Sequence, residues 1–142
     1  MSIRHLALAL AITGLAACTA NAPKKVAVDL SPEEAVAQRA TERWQYIIDG
    51  DFEAAYQYLT PGARAVMSFQ QYAARMVQAQ LRWTGVKPAE VICEDAETCK
   101  AEMTLDITVH APGIGQRGTQ TAQSEDWLKS GGQWYYLPQN IQ

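Results

Sequence analysis

From Cys99 to His110 the chain alternates strictly. Met103, Leu105, Ile107 and Val109 fall on one side. Glu102, Thr104, Asp106, Thr108 and His110 fall on the other. A period of two with one apolar side predicts a long antiparallel strand with one buried face. Pro112-Gly113 ends it. The N-terminal half keeps a different period: Val36, Ala37, Ala40, Trp44, Ile47 and Ile48 recur every three or four residues, which predicts a helix with one apolar face. Ser31-Pro32-Glu33-Glu34 is a capping box with proline at the first helical position. Gln38, Arg39, Glu42, Arg43 and Gln45 are expected on the polar side, and Asp49-Gly50 ends the helix.

Asp51 can cap a short second helix, Phe52 to Leu59, which Thr60-Pro61-Gly62 stops. Ser68-Phe69-Gln70-Gln71 is a second capping box. It starts a third helix through about Leu81, with Phe69, Tyr72, Ala73, Met76 and Leu81 expected inside. After Trp83-Thr84-Gly85 the period changes, and Val86 to Cys93 reads as a strand. Thr119 to Leu128 reads as a third, poorly buried strand. Ser130-Gly131-Gly132 turns into a last one, Gln133 to Leu137. Three N-terminal helices packed on one face of a four-stranded antiparallel sheet describe an α+β domain.

Composition changes this picture little. The chain has 142 residues, 48% of them apolar and 19% charged, as expected of one globular domain. The net charge is −3. No basic stripe interleaves with aromatics, which argues against nucleic acid as a partner.

The first 17 residues read differently. Arg4, to which His5 can add, gives a positive start, and Leu6 to Ala17 an apolar segment of 12 residues. That is too short to span a bilayer and the right length for a secretory leader. It ends in Leu15-Ala16-Ala17-Cys18, which resembles the lipobox of bacterial lipoproteins, where cleavage falls just before a cysteine that carries lipid. The resemblance implies a signal peptide at 1–17, fatty chains such as palmitate on Cys18, and attachment to the membrane. Residues 18–30 would be the lipidated N-terminus and linker, and 31–142 the folded domain. The body would face the periplasm. Thr19 slightly favours the outer over the inner membrane, since in such lipoproteins an Asp there favours inner-membrane retention.

Cys93 and Cys99 bracket the polar turn Glu94-Asp95-Ala96-Glu97-Thr98. A hairpin there brings the two Cβ atoms together, and in an oxidising compartment a disulfide is expected. The rival reading is a pair of metal ligands. Two cysteines without a nearby His or further Cys make a poor zinc site.

Three stretches resemble the NTF2-like (cystatin-like) superfamily. Ile47-Ile48-Asp49-Gly50-Asp51-Phe52-Glu53-Ala54-Ala55-Tyr56 looks like its join between helices one and two. Leu59-Thr60-Pro61 with Ser68-Phe69 looks like the start of its helix three. Trp127 to Tyr135, through Lys129-Ser130-Gly131-Gly132, looks like its final hairpin. The resemblance implies a cone in which a curved sheet wraps a helix and often encloses a pocket. Members include isomerases, small-molecule binders and dimeric modules, so the fold alone does not choose a function.

Ketosteroid-isomerase-like members need a base carboxylate and an oxyanion donor inside the cone. Asp106 and His110 lie roughly 13 Å apart, at about 3.3 Å per residue along the strand, and on the polar face. Tyr46, Tyr56, Tyr58 and Tyr72 at helical spacing suit a core, and Asp49 and Asp51 suit turns and caps. Arg64 and Arg75 could meet an anion, although exposed helical arginines are the rule. No catalytic residues, cofactor or metal site are expected. The reading is a lipid-anchored, non-catalytic envelope module that binds a protein partner or a small apolar ligand, with a homodimer through the sheet as a further possibility. The alternatives are an isomerase-like enzyme and a passive structural lipoprotein.

Overall fold

A computed structural model describes residues 30–78, 81–111, 113 and 115–139. The expected leader, Cys18 and most of the expected linker lie outside these residues. The described part holds four helices, α1 (Pro32–Asp49), α2 (Phe52–Tyr56), α3 (Pro61–Val66) and α4 (Phe69–Gln78). Four strands follow: β1 (Arg82–Cys93), β2 (Thr98–Ala111), β3 (Gly115–Ser130) and β4 (Gln133–Leu137). The sheet is an antiparallel meander in the order β1-β2-β3-β4. The α+β class read from the periodicity therefore stands.

Local chemistry explains the helix ends. Ser31 Oγ accepts from the Glu34 N–H at 3.2 Å, and Glu34 Oε2 accepts from the Ser31 N–H at 2.9 Å. Two of the orphan donors of the first turn are thereby satisfied. Gly50, at φ 79°, closes α1 in the left-handed region. Ser68 and Gln71 repeat the reciprocal bonding at α4.

Several expectations need correction. There are four helices among the described residues, not three. Thr60-Pro61, expected only as a stop, also opens α3: Thr60 Oγ1 accepts from the Ala63 N–H at 3.2 Å and Pro61 takes the first turn. Leu81 is 40% exposed and precedes β1 rather than ending a helix. The first strand starts at Arg82, four residues earlier than expected. Arg43, expected on the polar side of α1, is buried. Its position explains this: the buried stripe is Val36, Ala40, Arg43, Trp44 and Ile47, at spacings of three and four, and Arg43 sits in its middle.

That stripe packs on the inner face of the sheet. Cys99, Ala101, Met103, Leu105 and Ile107 of β2 are buried there, with Trp127 of β3 and Trp134 of β4. The polar face of β2 keeps Asp106 and His110 exposed, as the alternation required. Cys93 and Cys99 face each other across the β1–β2 register and are joined by a disulfide. The chain between α2 and α3 also grips β4. The Thr60 N–H donates to the Tyr136 carbonyl at 2.9 Å, and the Tyr136 N–H to the Tyr58 carbonyl at 2.7 Å.

Candidate functional site

The site is built around a charge buried where none was expected. Glu125 of β3 has no exposed surface. Its parity follows from the strand: Glu125 and Trp127 share the inner face, opposite Ala101 and Cys99 of β2. Arg43 Nη2 donates to Glu125 Oε1 in a buried ion pair. The same oxygen accepts from Trp44 Nε1 at 2.7 Å, and Oε2 accepts from Trp127 Nε1 at 3.1 Å. Three donors, two from α1 and one from β3, thus converge on one carboxylate. A buried charge is tolerated only when so paired and hydrogen-bonded.

The Arg43 guanidinium also lies over the Tyr136 ring at 4.1 Å and the Trp44 ring at 4.9 Å. Such stacking suits a planar, weakly hydrated cation. Burial pulls its pKa down, but the charge of Glu125, aided by Tyr72 and Tyr136, more than offsets this. The net shift is upward, and Arg43 stays charged.

Beside this cluster is a pocket of about 290 Å³. Arg43, Trp44 and Ile47 of α1 form one wall. Met67, with Tyr72 and Met76 of α4, forms another, and Trp83 and Tyr136 come from the sheet. Arg75, Gln123 and Gln139 are exposed residues among its lining. The volume is near the lower end of the ~300–1,000 Å³ usual for small-molecule sites. Two polar atoms in the lining residues are buried without a hydrogen-bond partner: Arg43 Nε and the Tyr72 hydroxyl. Burial pushes the Tyr72 hydroxyl above its ordinary pKa, and Arg43 pulls part of that back. Tyr136 is raised in the same way. Tyr72 is therefore a neutral donor at any ordinary pH. A larger hollow of about 730 Å³ lies at the start of α1, near Leu30, Lys129 and Trp134. It is an open groove, and its capping groups already bond each other.

In chemical terms the pocket can hold and orient. Both Glu125 oxygens accept hydrogen bonds from core donors, so the carboxylate ties α1 to β3. Among the described residues no three His, Cys, Asp or Glu side chains gather as a metal site. No described helix is long and apolar enough to cross a membrane.

Of the tyrosines singled out in the sequence, Tyr72 lines the pocket. Tyr46 is 37% exposed. The Tyr56 hydroxyl donates to the Met67 carbonyl at 2.7 Å, and that of Tyr58 to Glu42 Oε2 at 3.0 Å. Asp51 caps α2 by accepting from the Ala54 N–H, and Asp49 accepts from Gln45. Asp106 accepts from Gln120 Nε2 at 2.7 Å on the outer face. Arg64 donates to Gln57. The disulfide closes the β1–β2 turn and is not part of the pocket lining. Sequence reasoning missed Glu125 and Arg43. The available signals were the inward parity of Glu125 with Trp127 and the stripe position of Arg43.

Fold and site together define an α+β domain whose helices cover one face of an antiparallel meander over a small, largely apolar pocket. No protein-family model matches the chain, and no curated protein matches it. Two solved structures are similar in shape. One is the solution structure of a SEC-C motif-containing protein from Rhodopseudomonas palustris, with TM-score 0.56, 13% identity and coverage of 70% of this chain and 73% of that one. The other is the crystal structure of a SEC-C motif-containing protein from Psychrobacter arcticus, with TM-score 0.54 and 11% identity. It is matched over 75% of this chain, which spans 60% of its length. At these identities the likeness is one of fold.

Proposed function

We propose that the chain is a lipid-anchored, non-catalytic module of the bacterial cell envelope. Its pocket takes a small apolar ligand that carries one hydrogen-bond acceptor. The observation that carries this reading is the pair of orphaned donors, Arg43 Nε and the Tyr72 hydroxyl, on residues lining a 290 Å³ pocket. A buried donor left unpaired costs about 1–3 kcal/mol; both atoms are closed off from solvent in the ligand-free domain, so a side chain must turn into the pocket before a ligand acceptor recovers that cost. The apolar walls from Ile47, Met67, Met76 and Trp83 supply the rest of the affinity. The NTF2-like resemblance supports the same placement, because the cone interior is where that superfamily holds ligands. The leader read over residues 1–17, just before Cys18, supports the envelope and the tether.

The pocket is tested with 1-indanone and indane, which differ by one carbonyl, using quenching of Trp44 and Trp83 as the readout. The ketone is expected to bind more tightly, by up to about tenfold for one hydrogen bond. Tyr72→Phe should level the two, and Met76→Trp should block both without unfolding the domain. No binding of either compound to the folded protein, or discrimination that survives Tyr72→Phe, overturns the ligand reading. Mass spectrometry of the N-terminal peptide tests the tether: acylated Cys18 is expected, and an uncleaved or unacylated N-terminus refutes it.

A further inference from the structure

The two edges of the sheet are treated differently. The β1 edge is blunted. Its register breaks between Trp83 and Gly85 and again between Pro88 and Glu90, it carries Pro88 and charged Lys87 and Glu90, and α1 packs over it. Bulges, prolines and charges are the usual means of keeping an edge from pairing. At the other side β4 covers β3 only from Asp126 to Ser130. The rest of β3, from Gly115 to Gln123, is exposed.

The direction of its backbone groups can be worked out. Gly131 and Gly132 form a two-residue turn with φ 58° and 80°. In such hairpins the closing pair, here Ser130 and Gln133, exchanges hydrogen bonds. Leu128 and Asp126 then also point their N–H and C=O groups at β4, by alternation. The odd positions point at β2, and the β2–β3 register runs without a break to Gly115. Hence Gln116, Gly118, Gln120, Ala122 and Ser124 turn their backbone groups to the open edge. Among the described residues, two of these carbonyls have a local partner: Thr121 Oγ1 donates to the Ala122 carbonyl at 3.5 Å, and Gln123 Nε2 to that of Ser124 at 2.9 Å. Each carbonyl keeps a second lone pair.

We infer that this edge pairs with the same edge of a second copy of the chain, antiparallel about a two-fold axis at Gln120, giving an eight-stranded sheet across the dimer. The fit follows from the sequence of the edge. Centred on Gln120, the free stretch is symmetric: Gln116 faces Ser124 of the other copy, Gly118 faces Ala122, and Gln120 faces itself. All five pairs have their backbone groups turned toward each other, so about ten inter-chain hydrogen bonds form. On the inner face Thr119 meets Thr121, a favourable cross-strand pair. Arg117 is the one charge in the stretch, and it meets Gln123, so no like charges oppose. An interface that pairs a patch with itself closes on two copies and does not propagate. The inference is independent of the pocket.

Cysteine cross-linking of the full chain, in a Cys18→Ser background, tests it. Residues opposite each other in a hydrogen-bonded pair have Cα atoms about 5.5 Å apart, within reach of a disulfide. Gln120→Cys should give a cross-linked dimer on mild oxidation, and Lys87→Cys on the other edge should not. Adding Ala122→Pro to Gln120→Cys should reduce the dimer to the Lys87→Cys level. Its circular dichroism should stay unchanged, because the N–H lost points away from β2. Gln120→Glu, which opposes two like charges beside Asp106, should dissociate the dimer in low salt and less so in high salt. Equal cross-linking at both edges, or a dimer indifferent to Ala122→Pro, overturns the pairing. So does a monomer at all concentrations, including one whose Gln120 amide is protected by the chain's own N-terminal segment.

Discussion

Replacing Glu125 by Gln removes one charge and almost no volume, and the structure says it should be among the most damaging changes available. Glu125 is fully buried and its two oxygens accept from three donors. Gln offers one oxygen, so at least one indole N–H or the guanidinium meets an amide N–H. It also leaves the Arg43 cation in the core with no counter-charge. Breaking a buried ion pair from one side costs about 3–5 kcal/mol. Against a total stability of about 5–15 kcal/mol, that is a large share. With an m-value near 1.5 kcal/mol/M, a loss of 3 kcal/mol lowers the urea midpoint by about 2 M. The melting temperature should fall by roughly 12 °C or more. The assay is urea unfolding followed by tryptophan fluorescence, with Arg43→Met and the double variant Arg43→Met/Glu125→Gln alongside. The double variant no longer buries a lone charge, so it should regain about 2 kcal/mol over Glu125→Gln. A cost below about 1 kcal/mol for Glu125→Gln, or a double variant no better than the single one, would refute the account.

Three other outcomes are expected. Reduction of the Cys93–Cys99 disulfide opens a link of six residues' separation, which is worth about 2 kcal/mol in the chain-entropy model. The melting temperature should therefore drop by roughly 8 °C in dithiothreitol, and no drop would mean the hairpin holds itself. Tyr72→Phe removes a buried hydroxyl without a partner, so the ligand-free domain should melt at the same or a higher temperature; a large loss of stability would show that the hydroxyl is bonded after all. Tyr58 is pushed up to about 12, first by burial and then by the hydrogen bond to Glu42. An unfolded tyrosine ionises near 10, so between about pH 10 and 12 the unfolded chain loses a proton the folded one keeps, and stability falls with rising pH across that window. Below about pH 10 this contribution is present in full. Absorbance titration at 295 nm should show Tyr58, Tyr72 and Tyr136 lagging the other tyrosines, and six tyrosines titrating together near 10 would contradict the burial.

The fold class was legible because both periods are long and clean. Eighteen residues of α1 and fourteen of β2 each bury one face, and nothing local competes with that pattern. The capping boxes fixed two helix starts almost to the residue. What stayed hidden was decided by tertiary contacts. Arg43 was assigned by its charge and not by its place in the stripe, since its burial makes sense only once Glu125 is known to face it. Glu125 looked like part of an exposed strand because its neighbours on either side, Ser124 and Asp126, are polar and the strand's first half is exposed. The two residues lie 82 positions apart, and no one-dimensional pattern joins them. The pocket's lining escaped for the same reason: its walls come from α1, α4, β1, β3 and the end of β4. Thr60-Pro61 served as both an end and a beginning, which turn chemistry alone does not separate.

The backbone clasp between residues 58–60 and Tyr136 has a bearing on biogenesis. Trp134 and Tyr136 are made after the other core residues, yet they complete a core begun by α1, and the Tyr136 carbonyl and amide bond a segment made some seventy-six residues earlier. Before their strand is made, the core lacks Trp134 and Tyr136, and residues 58–60 lack their backbone partners. Closure of the domain therefore waits on β4, the last of the described strands.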